Sequence, residues 1–292
     1  MGVSTVTDFE STIPGVKVTE LRQLLSHEAN EGKTVILVEG ADDRSFYVHY
    51  VSEPHVVISV LNSCHFMPDI LRRAKTDRVL SERVIGVKDA DFDRILGKDY
   101  HLDNLFLTDT HDWETMTQTP ESERNVTIEA LGRTETGVFT KVMDDLKNYS
   151  YLKLYNMAEI CNKGKEGISF RDFSISKIYD GQDECEVAKC LSAVKGHNNN
   201  ARLAHFPGED EIKAVKIAHP NPDPLQFTCG HDVIQGVVQR MIHLKGASTD
   251  VGVKETARIF RTSFTKDMFQ STRLYQDIAS WSLAHHAVVW AA

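Results

Sequence analysis

Glu39, Asp89 and Asp91 are carboxylates spaced to hold a divalent cation. Glu39 follows the aliphatic run Val35-Ile36-Leu37-Val38, and Asp89-Ala90-Asp91 follows Val84-Ile85-Gly86-Val87-Lys88. Carboxylate oxygens are hard donors and select Mg²⁺ or Mn²⁺ over zinc. Such an ion polarises a phosphodiester, helps generate a hydroxide nucleophile and offsets charge on the leaving oxygen. On an extended chain, residues i and i+2 point the same way, so Asp89 and Asp91 are expected to face one pocket. The plain alternative is a set of solvated carboxylates at strand ends.

The elements that position these residues are legible as alternating runs. Val35–Val38 is short, aliphatic and largely β-branched, as a parallel strand buried on both faces requires. Val56–Leu61, Arg83–Lys88 and Leu102–Thr108 read as three more strands. A helix with apolar Val18, Leu21, Leu24 and Leu25 precedes the first strand and stops at Glu31-Gly32. Helices are expected from about Asp43 to Val51, where Pro54 ends the run, and over Met67–Lys75. Strands alternating with helices predict an α/β fold with a doubly wound, mainly parallel, four-stranded sheet. Its carboxyl edge then carries the acidic motifs.

After Pro120 the pattern turns helical, over Val126–Leu131, Val138–Leu146, Glu184–Val194, a helix opening at His231 or Asp232, Glu255–Phe260 and Ser271–Trp290. Gly164–Gly167 reads as a turn, Ile168–Ile175 as a weakly alternating edge strand, and Lys195–Asn200 as a polar loop. The expected division is residues 1–120, catalytic with an N-terminal helix, and 121–292, mainly helical.

Further candidates carry competing roles. Asp43 lies in the first turn after Gly40, as a helix-start charge or a further metal residue. Glu114, in Asp109-Thr110-His111-Asp112-Trp113-Glu114, is a candidate base or ligand, while Asp109 or Asp112 suits a helix cap. Asp93 is disfavoured as a ligand because the chain is expected to have turned. His231-Asp232 reads as an N-cap aspartate beside a packed histidine. The five cysteines, at 64, 161, 185, 190 and 229, form no Cys-x-x-Cys pair, which argues against structural zinc and for free thiols. The chain has no G-x-x-x-x-G-K-[ST] loop and no G-x-S-x-G elbow.

Net charge is −9. Residues 240–273 are nonetheless basic, and Lys254, Arg258 and Arg261 are candidates for substrate phosphates, against a solvated or partner-docking face. No apolar run is long enough for a bilayer and Met1–Glu10 is unlike a secretory signal, so a cytoplasmic protein is expected.

Glu39-Gly40-Ala41-Asp42-Asp43 and Asp89-Ala90-Asp91 resemble the Toprim domain of topoisomerases, primases and OLD-family nucleases. The 109–114 motif and Gly230-His231-Asp232 are more similar to the AriB-like Toprim effectors of PARIS anti-phage systems. The resemblance implies a Toprim-like sheet with a mostly helical C-terminal region, and a Mg²⁺-dependent nuclease. For the AriB-like branch it implies a toxic effector, released from a partner ABC-type ATPase, that cleaves host tRNA; a homodimer is also expected. An OLD-like DNA nuclease and a non-catalytic Toprim module binding nucleic acid or an ATPase remain as alternatives, because phosphate contacts carry no base identity.

Overall fold

The computed structural model describes residues 6–61, 65–161, 167–198 and 205–291, with side chains described from residue 13. In chain order the first elements are α1 (Val6–Ser26), β1 (Thr34–Val38), α2 (Ala41–Tyr47), β2 (Val56–Val60), α3 (Met67–Lys75), β3 (Val84–Lys88) and β4 (Leu105–Leu107). Helices follow as α4 (Trp113–Met116), α5 (Pro120–Leu131), α6 (Val138–Asp145), α7 (Lys147–Tyr155), α8 (Val187–His197) and α9 (Glu209–Ala218). The last are α10 (Pro224–Phe227), α11 (Gly230–Lys245), α12 (Val253–Ser263), α13 (Lys266–Gln270) and α14 (Arg273–Ala284).

By contact the chain forms two compact units. Unit 1 is Met1–Asp89, Asp99–Asp109 and Thr265–Ala292; unit 2 is Ala90–Lys98 and Thr110–Phe264. This division differs from a single cut after residue 120, since the C-terminal segment packs with the sheet.

Unit 1 holds the four-stranded sheet. Its order is β2-β1-β3-β4 and every pairing is parallel, with Val35 opposite Val84 and Leu37 opposite Gly86. The α/β expectation therefore holds. Strand order changes direction between β1 and β3, and in open α/β sheets that switch point opens a crevice at the carboxyl ends. All five β1 residues are buried. Val35 and Leu37 join Leu21 and Leu25 of α1 and Met67, Ile70 and Leu71 of α3 in one cluster. Ile36 and Val38 alternate to the other face and are equally buried. Each such side chain contributes about 1.5–3 kcal/mol by leaving water. Gly86 lets α3 approach closely, because a Cβ there would lie 2.8 Å from Leu71 Cδ1 and Met67 Sδ.

A second, aromatic cluster ties the C-terminal segment to unit 1. Tyr50 stacks on Phe269 at 4.1 Å, and Trp290 meets Phe269 edge-on at 5.0 Å. Trp290 also forms an antiparallel bridge with Val51.

Unit 2 is helical among the described residues and builds its own core from Val126, Val142, Leu146, Tyr149, Leu154, Val237 and Phe260. The expected edge strand at 168–175 is absent. Ile168 and Phe173 are buried there, yet the Asn156 amide pairs with Ile168 N–H at 2.7 Å and its carbonyl at 3.3 Å. Asn198 does the same for Ser169, at 2.9 and 3.0 Å. Side-chain amides thus satisfy the backbone that a neighbouring strand would have served. Residues 164–166 of the expected turn lie outside the described residues.

Helix bounds shift in several places. α1 begins earlier than the sequence pattern suggests, with Pro14 inside it, and a 3-10 turn (Glu28–Asn30) precedes Gly32. α2 ends at Tyr47, α8 runs on to His197, and α7 and α9 had no counterpart in the sequence reading.

Candidate functional site

In unit 1, β1 delivers Glu39 and β3 delivers Asp89, each one residue past the strand end and beside the switch point. Asp89 N–H donates to Glu39 Oε1 at 3.1 Å. The adjacency expected from two separate sequence motifs is therefore present. Lys88, the last residue of β3, is 4 % exposed. Its Nζ donates to the Asp89 carbonyl at 2.7 Å and lies 3.9 Å from Glu39 Oε1. An ammonium is thus built into the acidic edge, where it offsets carboxylate charge that burial would make expensive.

Two neighbouring carboxylates hold helix starts. Asp43 Oδ2 accepts Gly40 N–H at 2.6 Å, which secures the first turn of α2. Asp109 accepts the N–H groups of Arg273 and Leu274 at 2.7 and 2.8 Å, so it secures α14 instead of the helix that follows it in sequence.

In unit 2, Asp91 departs from the extended chain. Its φ is +46° and its N–H donates to the His111 carbonyl at 2.8 Å. Aspartate tolerates this left-handed conformation better than most residues. The i, i+2 alternation that would make Asp89 and Asp91 parallel therefore fails, because β3 has already ended. Asp93 is buried and pairs with Lys98 at 3.5 Å.

Glu114 is the second residue of α4 and is half-buried. Asp112 caps α4 through Thr115 N–H at 2.8 Å. Its other oxygen accepts Gly230 N–H at 2.6 Å, across 118 residues, and lies 3.1 Å from His111 Nδ1. Gly230 must be glycine here, since a Cβ would fall 2.3 Å from both Asp112 Oδ1 and Glu114 Cβ. Burial works to raise the Asp112 pKa, but His111 and the Gly230 and Thr115 amides hold it below the usual range.

Asp232 does not cap α11; Cys229 occupies that position, and Asp232 pairs with the half-buried Lys153. Burial opposes the Lys153 charge, yet the Asp232 carboxylate keeps its pKa above the ordinary value. Cys229 is half-buried as a residue, and burial of its thiol pushes the pKa well up, against the pull of Lys153. His111 Nδ1 or Nε2, an Asp112 oxygen and Cys229 Sγ all lie within 4.8 Å of one another.

The basic residues sit on α12. Arg258 donates to Glu255 through Nε at 2.9 Å, so its charge is partly matched. The Arg261 guanidinium lies 5.5 Å from the Trp113 ring centroid, a cation–π contact. Lys254 is exposed.

Lys88, Lys153 and Cys229 were not singled out from sequence. A lysine closing an otherwise aliphatic strand is the one local signal among them. The other two become conspicuous only beside partners far away in the chain. No protein-family model matches this chain, and a search of curated proteins finds no match. No helix among the described residues is long and apolar enough to cross a membrane.

Proposed function

We propose that the protein is a Mg²⁺-dependent nuclease of the Toprim kind. The observation that carries this reading is the hydrogen-bonded pair Glu39 and Asp89 at the carboxyl ends of β1 and β3. Their donor set is hard oxygen, which fits Mg²⁺ or Mn²⁺. Glu39 and Asp89 would hold the ion in this reading; Asp91 and Glu114, the further candidates from the sequence motifs, belong to unit 2. Asp43 is the further candidate ligand, with its Oδ2 engaged by Gly40 N–H. Bound there, the ion supplies Lewis-acid polarisation of a phosphodiester. Lys88 holds the Asp89 carbonyl in place and adds positive charge where a phosphate would approach.

The biological role follows the AriB-like resemblance of the motifs: a toxic anti-phage effector, released from an ABC-type ATPase, that cleaves tRNA. Lys254, Arg258 and Arg261 are the proposed phosphate contacts. The test is cleavage of tRNA, other RNA and DNA by the purified chain with Mg²⁺, Mn²⁺, Zn²⁺ or excess chelator. Cleavage confined to Mg²⁺ and Mn²⁺ is expected, with end-sequencing naming the substrate. Cleavage of DNA alone would move the reading to the OLD type. Full activity in chelator would end the metal assignment, and binding without cleavage under every condition would leave a non-catalytic module.

A further inference from the structure

A different donor set gathers in unit 2, and it is not one that Mg²⁺ prefers. His111 offers nitrogen, Asp112 oxygen and Cys229 sulfur, within 4.8 Å of one another. His111 and Asp112 are 4 % and 5 % exposed. Buried polar atoms are nearly always paired, and one that is not calls for an explanation such as a water or an ion. His111 Nε2 is buried and meets no hydrogen-bond partner in the protein.

We propose that His111, Asp112 and Cys229 form a site for Zn²⁺. Imidazole, carboxylate and thiolate are the ligands zinc takes, whereas the sulfur excludes a preference for Mg²⁺ or Ca²⁺. A tetrahedral zinc with bonds of about 2.0–2.3 Å holds its ligands roughly 3.3–3.8 Å apart. His111 Nδ1 lies 3.1 Å from Asp112 Oδ2, so the unpartnered Nε2 is the nitrogen open to the ion. The three ligand atoms lie within 4.8 Å of one another, so the side chains must close to the tetrahedral spacing when the ion binds.

On binding, the Cys229 S–H bond breaks, its proton passes to solvent, and the sulfur lone pair forms the bond to zinc. Three protein ligands leave the fourth position to water, the pattern of an open zinc site instead of a closed structural one. The backbone is set for this. Asp112 caps α4 and is tied to Gly230, and Cys229 stands at the head of α11. The proposal is independent of the nuclease reading, since the two sites take different ligands and different ions.

Metal analysis of the full chain, purified without chelator and then reconstituted with Zn²⁺, tests it. About one zinc per chain is expected. The Cys229→Ser and His111→Gln variants should lose most of it, while Glu39→Gln keeps it. Because either substitution alters the packing of unit 2, the unaltered chain is also loaded with Co²⁺. A thiolate-to-cobalt charge-transfer band, displaced by one equivalent of Zn²⁺, is expected. Zinc far below stoichiometric, no thiolate band, or zinc retained by both folded variants would each overturn the site.

Discussion

Glu39 and Lys88 set the charge balance at the carboxyl edge of the sheet. Glu39 accepts the Asp89 amide, so truncating it to alanine removes an acceptor as well as a charge. The Glu39→Gln variant separates the two. Glutamine keeps an oxygen for Asp89 N–H but contributes no anion to a metal. Glu39→Gln is expected to lose metal-supported cleavage by at least about 100-fold, with thermal stability changed by roughly 1 kcal/mol or less. Kinetics with Mg²⁺ beside a melting curve will check this. Retained cleavage by the folded variant would remove Glu39 from the mechanism.

At the scale of elements, side chains close the gaps that helices and strands leave. Asp77 does so just after α3. It takes Arg22 Nε at 2.9 Å and Val79 N–H at 2.8 Å, and the Arg22 bond is the main cause holding its pKa below the ordinary value. A carboxylate with a lowered folded pKa stabilises the fold fully above its unfolded value of about 3.9. That contribution is lost as pH falls through the lowered folded value. Asp77→Asn should therefore destabilise the protein at neutral pH by roughly 1 kcal/mol. The difference from the unaltered chain should shrink once pH drops below about 4. Denaturation curves over that range measure it; a gap that stays constant with pH would show that the charge plays no part.

The whole molecule interleaves its two units along the chain. A fragment of residues 1–120 has the four strands but lacks Phe269 and Trp290, the rings packed against Tyr50 and linked to Val51. That fragment is expected to expose apolar surface and aggregate or bind a hydrophobic dye, and cooperative unfolding by the isolated fragment would contradict this. Charge at the same scale bears on the substrate. With a net −9, nucleic acid must be held by local basic groups. Arg258 is shared with Glu255, and Arg261 lies over the Trp113 ring. Reversing both to glutamate should weaken binding to all sequences and flatten the salt dependence by about one unit per lost contact. An unchanged slope together with lost self-association would make α12 an interface between copies.

The sequence alone determined the strand runs, the mainly parallel class and the place of Glu39 and Asp89 at strand ends. It could, because those features are local. A β-branched run buries itself on both faces wherever it falls, and the residue after it must lie at an edge. Only the tertiary structure decided that β1 and β3 are neighbours with Asp89 N–H on Glu39, and that Lys88 is buried beside them. It alone turned Asp91 out of the extended chain and served Ile168 and Ser169 with Asn156 and Asn198 instead of a strand. Cysteine spacing gave no hint of His111, Asp112 and Cys229, whose grouping depends on Gly230 meeting Asp112 across 118 residues. Periodicity reports which face a residue presents; which distant partner meets that face is settled by how helices and loops close, and that information is spread over the whole chain.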